Sequence, residues 1–282
     1  MLGKKKIGLA LGGGAAKGFA HIGVLKVLEE NGIRPDMISG TSVGSIIGAL
    51  YALNPNAKEL EALCERTNWK KLIDLALPSK GLIKGNKIES LLRKELNNLS
   101  FSDLKKPLFV TAVDLETGQE IIFNKGDLSS ALRASIAIPG IFEPVENNGR
   151  ILIDGSWVDP VPVEVLRKAG ADIIIAVNLN AASEELPPKY ETAVIDNDLK
   201  KAPNIIKTLL RSNQITQQEA SLSQRKKYEA DLMIEPNLKN YAPYDFKNFR
   251  EGIKIGEMAT RKKTGEINLK IKQGWIERVF GK

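Results

Sequence analysis

Residues 35–53 read PDMISGTSVGSIIGALYAL, and the fold class turns on how this stretch is parsed. Pro35 to Ser39 is a short apolar run suited to a buried strand, and Val43 to Leu53 has the apolar content of a packed helix. Gly40-Thr41-Ser42-Val43-Gly44 lies at the join. A strand that turns at once into a helix holds its tip residue in a strained conformation and leaves no room for side chains two positions to either side. Glycines at 40 and 44 meet that demand, and the turn lifts the Ser42 hydroxyl to a helix N-terminus. A plainer account also fits: Ser42 caps the helix, and Gly40, Gly44 and Gly48 permit close packing. Working upstream, Ile7 to Leu11 reads as a buried strand, Gly12 to Gly18 as a glycine-rich loop, and Phe19 to Asn31 as a helix closed by Gly32. Strand, helix, strand, helix is the mark of a parallel sheet covered by helices.

Downstream, 55–106 is helical and amphipathic, punctuated at Pro78, Gly81 and Gly85, and is expected to form a cap or lid over a site. Leu108 to Leu115, Ile121 to Phe123, Ile151 to Ile153, Ile173 to Val177 and Leu232 to Ile234 have strand character, and Leu128 to Ile136 is helix-like. Ala181 to Pro203 reads as a surface loop, Asn204 to Tyr228 as a long helix, and the remainder as mostly helical. With no repeat and no clean linker, the expected organisation is a catalytic domain over 6–180, with 181–282 a mostly helical extension of the same domain.

Composition narrows the chemistry. The chain is 43% hydrophobic with a mean hydropathy of −0.17, enough apolar content for a sizeable core. Runs such as Ile46 to Leu53 are too short to span a bilayer. A single cysteine, Cys64, excludes an internal disulfide framework and Cys-cluster metal sites. A single histidine, His21, excludes multi-His metal sites. Neither metal nor cofactor is expected, and the composition suits a reducing cytoplasm. The net charge of +7 is concentrated at the C-terminal end, where 181–282 carries 19 basic and 14 acidic side chains. These charges are interleaved and lack clustered aromatics, so nucleic acid is not the expected partner. Lys4-Lys5-Lys6 before an apolar run has the look of a targeting segment, but three glycines and Lys17 interrupt it, and a buried strand is the expected reading.

Three readings compete for Gly12 to Gly18. A dinucleotide fingerprint requires glycine where Lys17 stands, and a phosphate-binding Walker loop requires Lys-Ser/Thr where Phe19-Ala20 follow Gly18. The third is an oxyanion hole, in which glycines let backbone N–H groups of Gly12, Gly13, Gly14 and Ala15 converge near a helix N-terminus. A nucleophilic Ser42 would need a base. His21 precedes it within the helix after the loop, the wrong chain order for a hydrolase triad, and is expected to pack or bond locally. A carboxylate is left. Asp154 ends the apolar strand Ile151-Leu152-Ile153 and precedes the tight turn Gly155-Ser156, while Asp114, Asp127 and Asp159 remain competitors that spacing does not separate.

Taken together, Gly12 to Leu25 (GGGAAKGFAHIGVL), Gly40 to Gly44 (GTSVG), Ala131 to Val145 (ALRASIAIPGIFEPV) and Leu152 to Val163 (LIDGSWVDPVPV) resemble, in order, the motifs of the patatin-like phospholipases in their bacterial branch. The resemblance implies a three-layer α/β/α fold with a mostly parallel sheet, a Ser42–Asp154 catalytic dyad and an oxyanion hole around Gly13-Gly14. It implies a serine acyl hydrolase acting on phospholipids or lysophospholipids through an acyl-enzyme, with Lys17, Gly18, Gly40, Gly44, Gly155 and Ser156 in support. Two positions depart from the family pattern. Its Asp-Gly-Gly/Ala turn is Asp154-Gly155-Ser156 here, and its loop arginine is Lys17, which keeps the charge but not the bidentate geometry. The expected setting is cytoplasmic, with peripheral contact at the inner membrane face, where the basic and apolar stretch from Arg261 to Lys282 is a candidate surface. The rival is a non-catalytic regulatory or membrane-peripheral lipid-binding protein that keeps the fold.

Overall fold

Branched apolar runs make the strands. The computed structural model describes residues 5–69, 83–181, 208–209, 212, 215–217, 219–220 and 229–280, with side chains of the last helix described to Lys272. Its strands are β1 (Ile7–Leu11), β2 (Met37–Thr41), β3 (Leu108–Asp114), β4 (Glu120–Phe123), β5 (Val145–Asn147), β6 (Arg150–Asp154), β7 (Ile173–Val177) and β8 (Leu232–Ile234). Its α-helices are α1 (Phe19–Glu30), α2 (Val43–Leu53), α3 (Ala57–Arg66), α4 (Asn86–Glu95), α5 (Leu128–Ser135), α6 (Glu164–Lys168) and α7 (Phe249–Phe280). The strand expected over 35–39 starts and ends two residues later, because Thr41 still pairs with Thr111 of β3. Of the stretch 204–228, the described residues are helical. The loop expected over 181–203 lies outside the described residues apart from Ala181, as do Pro78, Gly81 and Leu82.

All eight strands join one sheet, in the order β5-β6-β3-β2-β1-β7-β8, with β4 also paired to β3. Five strands, from β3 through β2, β1 and β7 to β8, run parallel, and β4, β6 and β5 form an antiparallel flank. Alternation along the central strands divides the core. Leu9, Leu11, Ile175 and Val177 pack in the larger cluster with α1, α2 and α5, whereas Ala10, Ile174 and Ala176 face a smaller cluster that includes Leu166 of α6. The result is the expected three layers, helix, sheet and helix. α3 and α4 belong to the larger layer: Ala57, Leu60, Cys64 and Leu92 are part of its core. So are Leu232, Ile234, Phe249, Ile253 and Ile267, which tie β8 and α7 to the same body as the strands near the N-terminus.

One feature of the topology sets up the site. β4 pairs with β3 over Val110 to Val113, overlapping the β2 pairing at Val110 and Thr111 and the β6 pairing at Ala112 and Val113. A strand has two edges, so β2 and β6 must share the edge opposite β4, one after the other. β2 is parallel to β3 and β6 antiparallel, and their C-terminal ends therefore meet: Thr41 opposite Thr111, Asp154 opposite Ala112.

Candidate active site

Ser42 stands at the tip of β2 with φ 54 and ψ −127, a left-handed conformation that serine rarely adopts. The neighbours that make the turn possible are the two glycines. A Cβ on Gly40 would sit 2.6 Å from the backbone of Gly44, and one on Gly44 would strike the Leu11 carbonyl. Side chains from other elements pin the strained turn. The Ser42 N–H donates to Ser135 Oγ on α5 at 2.8 Å, while Thr41 Oγ1 lies 2.6 Å from Thr111 Oγ1 and donates to the Asp159 carbonyl at 2.8 Å.

Where the two strand ends meet, the Ser42 hydroxyl donates to Asp154 Oδ2 at 2.6 Å. Asp154 is fully buried and Ser42 only 4% exposed. The other carboxylate oxygen, Oδ1, accepts the Ser156 N–H at 2.8 Å, and the Asp154 N–H donates to the Ala137 carbonyl at 3.0 Å. Gly155 is needed because a Cβ there would come within 2.6 Å of the Thr111 carbonyl. Burial pushes the Asp154 carboxyl up to about 6, against the pull of the Ser42 hydroxyl and of the Ser156 backbone and side chain. The three competing aspartates are occupied elsewhere. Asp114 binds Arg150 at 2.6 Å, Asp127 caps α5 and pairs with Arg93 at 3.0 Å, and the Asp159 side chain hydrogen-bonds to Glu120 of β4.

The glycine loop packs alongside, with a Cβ on Gly13 only 3.4 Å from Ser42 Cβ and Gly18 seated against Val43. Its amides are not equivalent. Gly12 N–H donates to the Val177 carbonyl and Gly13 N–H to the Pro160 carbonyl, each at 3.0 Å, so these two, expected in an oxyanion hole, serve to fix the loop. The N–H groups of Gly14 and Ala15 have no acceptor among the described residues, nor does that of Val43 at the start of α2. His21 holds the loop from behind: its Nε2–H donates to the Gly12 carbonyl at 2.8 Å, and full burial lowers it to about 4, so it is neutral. Lys17 is buried and donates to Asn180 Oδ1 at 3.2 Å. Asn180 in turn donates to the Gly13 carbonyl at 3.3 Å and to Gln217 Oε1 at 3.0 Å. Sequence reasoning missed Ser135, Asn180 and Gln217. Ser135 falls inside the quoted run Ala131 to Val145, but a lone buried amide such as Asn180 carries no local signal.

A strained serine, a buried aspartate with a raised carboxyl and unspent amides nearby can together perform acyl transfer without a histidine. The chain is also similar to known proteins. It is 31% identical over 273 residues to lysophospholipase NTE1 of Candida glabrata, covering 91% of this chain and 16% of that protein. It is 37% identical over 180 residues to an uncharacterized NTE family protein of Mycobacterium tuberculosis, covering 63% of this chain and 50% of the relative. The chain thus spans half or less of these relatives' length. Among solved structures, VipD from Legionella pneumophila superposes with a TM-score of 0.56 at 16% identity, over 92% of this chain and 66% of that one, a likeness of fold. The family model of the patatin-like phospholipases matches 9–167, a span that takes in the glycine loop, the elbow and both ends of the Ser42–Asp154 hydrogen bond, and it makes this chain a member of that family.

Proposed function

We propose that the chain is a serine acyl hydrolase that cleaves ester bonds of phospholipids or lysophospholipids. The observation that carries the reading is the 2.6 Å hydrogen bond from the Ser42 hydroxyl to Asp154 Oδ2. As Ser42 Oγ attacks the ester carbonyl, its proton passes directly to Asp154. The carbonyl oxygen becomes an oxyanion and is received by the N–H groups of Gly14 and Ala15, joined by that of Val43 at the positive end of α2. Collapse expels the alcohol, which takes the proton from Asp154 and leaves an acyl-Ser42 ester. Water then attacks this ester, with Asp154 again accepting a proton; collapse frees the fatty acid, and Ser42 Oγ takes that proton back from Asp154. An ordinary carboxylate near 3.9 is a poor base at neutral pH, and the raised value at Asp154 brings it close to the working range. The choice of substrate class is supported by the lysophospholipase among the relatives.

The test combines covalent labelling with turnover. A fluorophosphonate probe should label the wild-type chain and fail on Ser42→Ala. Ser42→Ala and Asp154→Asn should each lower release of fatty acid from lysophospholipid by at least about 10³-fold, with the double variant little worse. Labelling that persists in Ser42→Ala, or Asp154→Asn turning over near the wild-type rate, would overturn the assignment. No labelling and no turnover in the wild type would favour a lipid-binding protein that has kept the fold.

A further inference from the structure

Ser156 is fully buried, and its Oγ has no hydrogen bond of ordinary geometry among the described residues. A hydroxyl in that state is costly to keep. The turn does not ask for it, because the bond made here is the backbone N–H to Asp154 Oδ1 at 2.8 Å, which glycine or alanine would make equally well. The hydroxyl lies where the parts of the site converge: a Cβ placed on Gly13 would strike Ser156 Oγ and come to 3.4 Å from Ser42 Cβ. The N–H of the same residue stands 2.8 Å from Asp154 Oδ1, which keeps the hydroxyl beside that carboxyl, where it draws the carboxyl down. Of the carboxylate oxygens, Oδ2 receives the Ser42 hydroxyl and Oδ1 the Ser156 N–H, and an ionised oxygen can accept a further donor.

We propose that Ser156 is a positioning residue for the base, its hydroxyl donating to Asp154 Oδ1 and holding the carboxylate ionised and aligned for proton transfer from Ser42. The inference rests on Asp154 being the base. Charged groups of the surrounding elements are directed elsewhere. His21 on α1 is neutral and bonded to Gly12, Lys17 in the glycine loop is bonded to Asn180, and Asp114 on β3 is paired with Arg150. The Asp159 side chain, after the Ser156 turn, bonds to Glu120, Arg133 on α5 donates to the Lys84 and Glu143 carbonyls, and no charged side chain contributes to the state of Asp154 among the described residues. Its ionisation is a balance of burial against neutral donors, in which one hydroxyl carries weight.

Ser156→Ala and Ser156→Gly in the full chain remove the hydroxyl and keep the backbone donor. The readouts are kcat/KM for a soluble short-chain ester and the rate of fluorophosphonate labelling, each followed from about pH 4 to about pH 9. Loss of a hydrogen bond to a charged group should move the acid limb of both profiles upward by about one pH unit in both variants. A role confined to packing would lower the whole profile without displacing the limb, and an undisplaced limb in both variants overturns the proposal. Asp154→Asn separates this failure from that of the wider reading. If Asp154→Asn is inactive while the limb of Ser156→Ala stays in place, only the role of Ser156 falls. If Asp154→Asn retains wild-type turnover, the base assignment falls with it.

Discussion

At the scale of single residues, the site holds two buried titratable groups whose effects on stability oppose each other. Asp154 has a carboxyl raised to about 6, so the folded state keeps a proton that the unfolded chain has lost, and stability falls as pH rises through that value. The shift corresponds to about 3 kcal/mol, present as a penalty at neutral pH. His21 is lowered to about 4, so the folded state refuses a proton that the unfolded chain takes up, and stability falls as pH drops from 6.5 toward 4, again by about 3 kcal/mol. In the wild type the two contributions nearly cancel across this window. Asp154→Asn unmasks the histidine. It should raise the midpoint of urea unfolding near pH 8, by up to about 3 kcal/mol of stability, with the advantage gone by about pH 3.5. The same variant should lose stability on acidification more steeply than the wild type. His21→Gln should do the reverse and gain relative stability as the pH is lowered. Parallel pH profiles for all three proteins would show that neither group is buried as described. For the proposed base, a carboxylate that destabilises its own fold is the expected trade between activity and stability.

At the scale of elements, α1 and α7 cross at a pair of glycines. A Cβ on Gly23 would strike the Ile253 carbonyl, and one on Gly256 would strike the Ala20 carbonyl, so the helix backbones are in contact there. Gly265 lies about two and a half turns further along α7, with nothing within 4 Å. Gly256→Ala should therefore destabilise by about 1–3 kcal/mol despite its better helix propensity. Gly265→Ala, in the same helix, should stabilise by about 0.5–1 kcal/mol and raise the Tm by about 2 °C. Equal effects of the two substitutions would deny the close crossing. This contact also shows what local sequence can and cannot express. β1, α1, β2 and α2 were legible because each carries its own signal: a buried run, a periodic face, a glycine stop. β5 was missed, being three residues of mixed character, although the Asn148-Gly149 turn that joins it to β6, with φ 49 and φ 75, is a strong hairpin signal. Ser42 and Asp154 could be nominated from their strand-end positions. That they touch follows from β2 and β6 sharing one edge of β3, a matter of register between segments 112 residues apart, on which no local pattern reports.

At the scale of the whole molecule, the proposed substrate is a component of membranes, and no described helix is long and apolar enough to cross one. Peripheral contact is the expectation, and the question is what drives it. The stripe on α7 is the obvious candidate for insertion, yet Ile267 is buried in the core and Ile271 packs against it. The side chains of Trp275, Ile276, Val279 and Phe280 lie outside the described residues. On the polar side of this helix Arg261 pairs with Glu30 at 2.7 Å and Lys263 with Glu266 at 2.6 Å. Both are half-exposed pairs of little energetic weight, which leaves their charge free to respond to an anionic surface. With a net charge of +7 spread over such sites, binding should be electrostatic and shallow, about 1 kcal/mol for each basic residue within a Debye length of the lipid. Co-sedimentation with vesicles rich in phosphatidylserine should be strong at low salt and largely abolished near about 0.5 M salt. It should be weak at any salt on neutral phosphatidylcholine vesicles. No binding to anionic vesicles at low salt would sink the peripheral contact, and salt-resistant binding to both kinds would point instead to apolar insertion. Truncation after Gly265 adds the second arm. Loss of Ile267 and Ile271 should yield a destabilised protein, with a lower Tm even without lipid, since that half of α7 helps close the core. A truncated chain that melts like the wild type but no longer binds vesicles would return the stripe to the membrane.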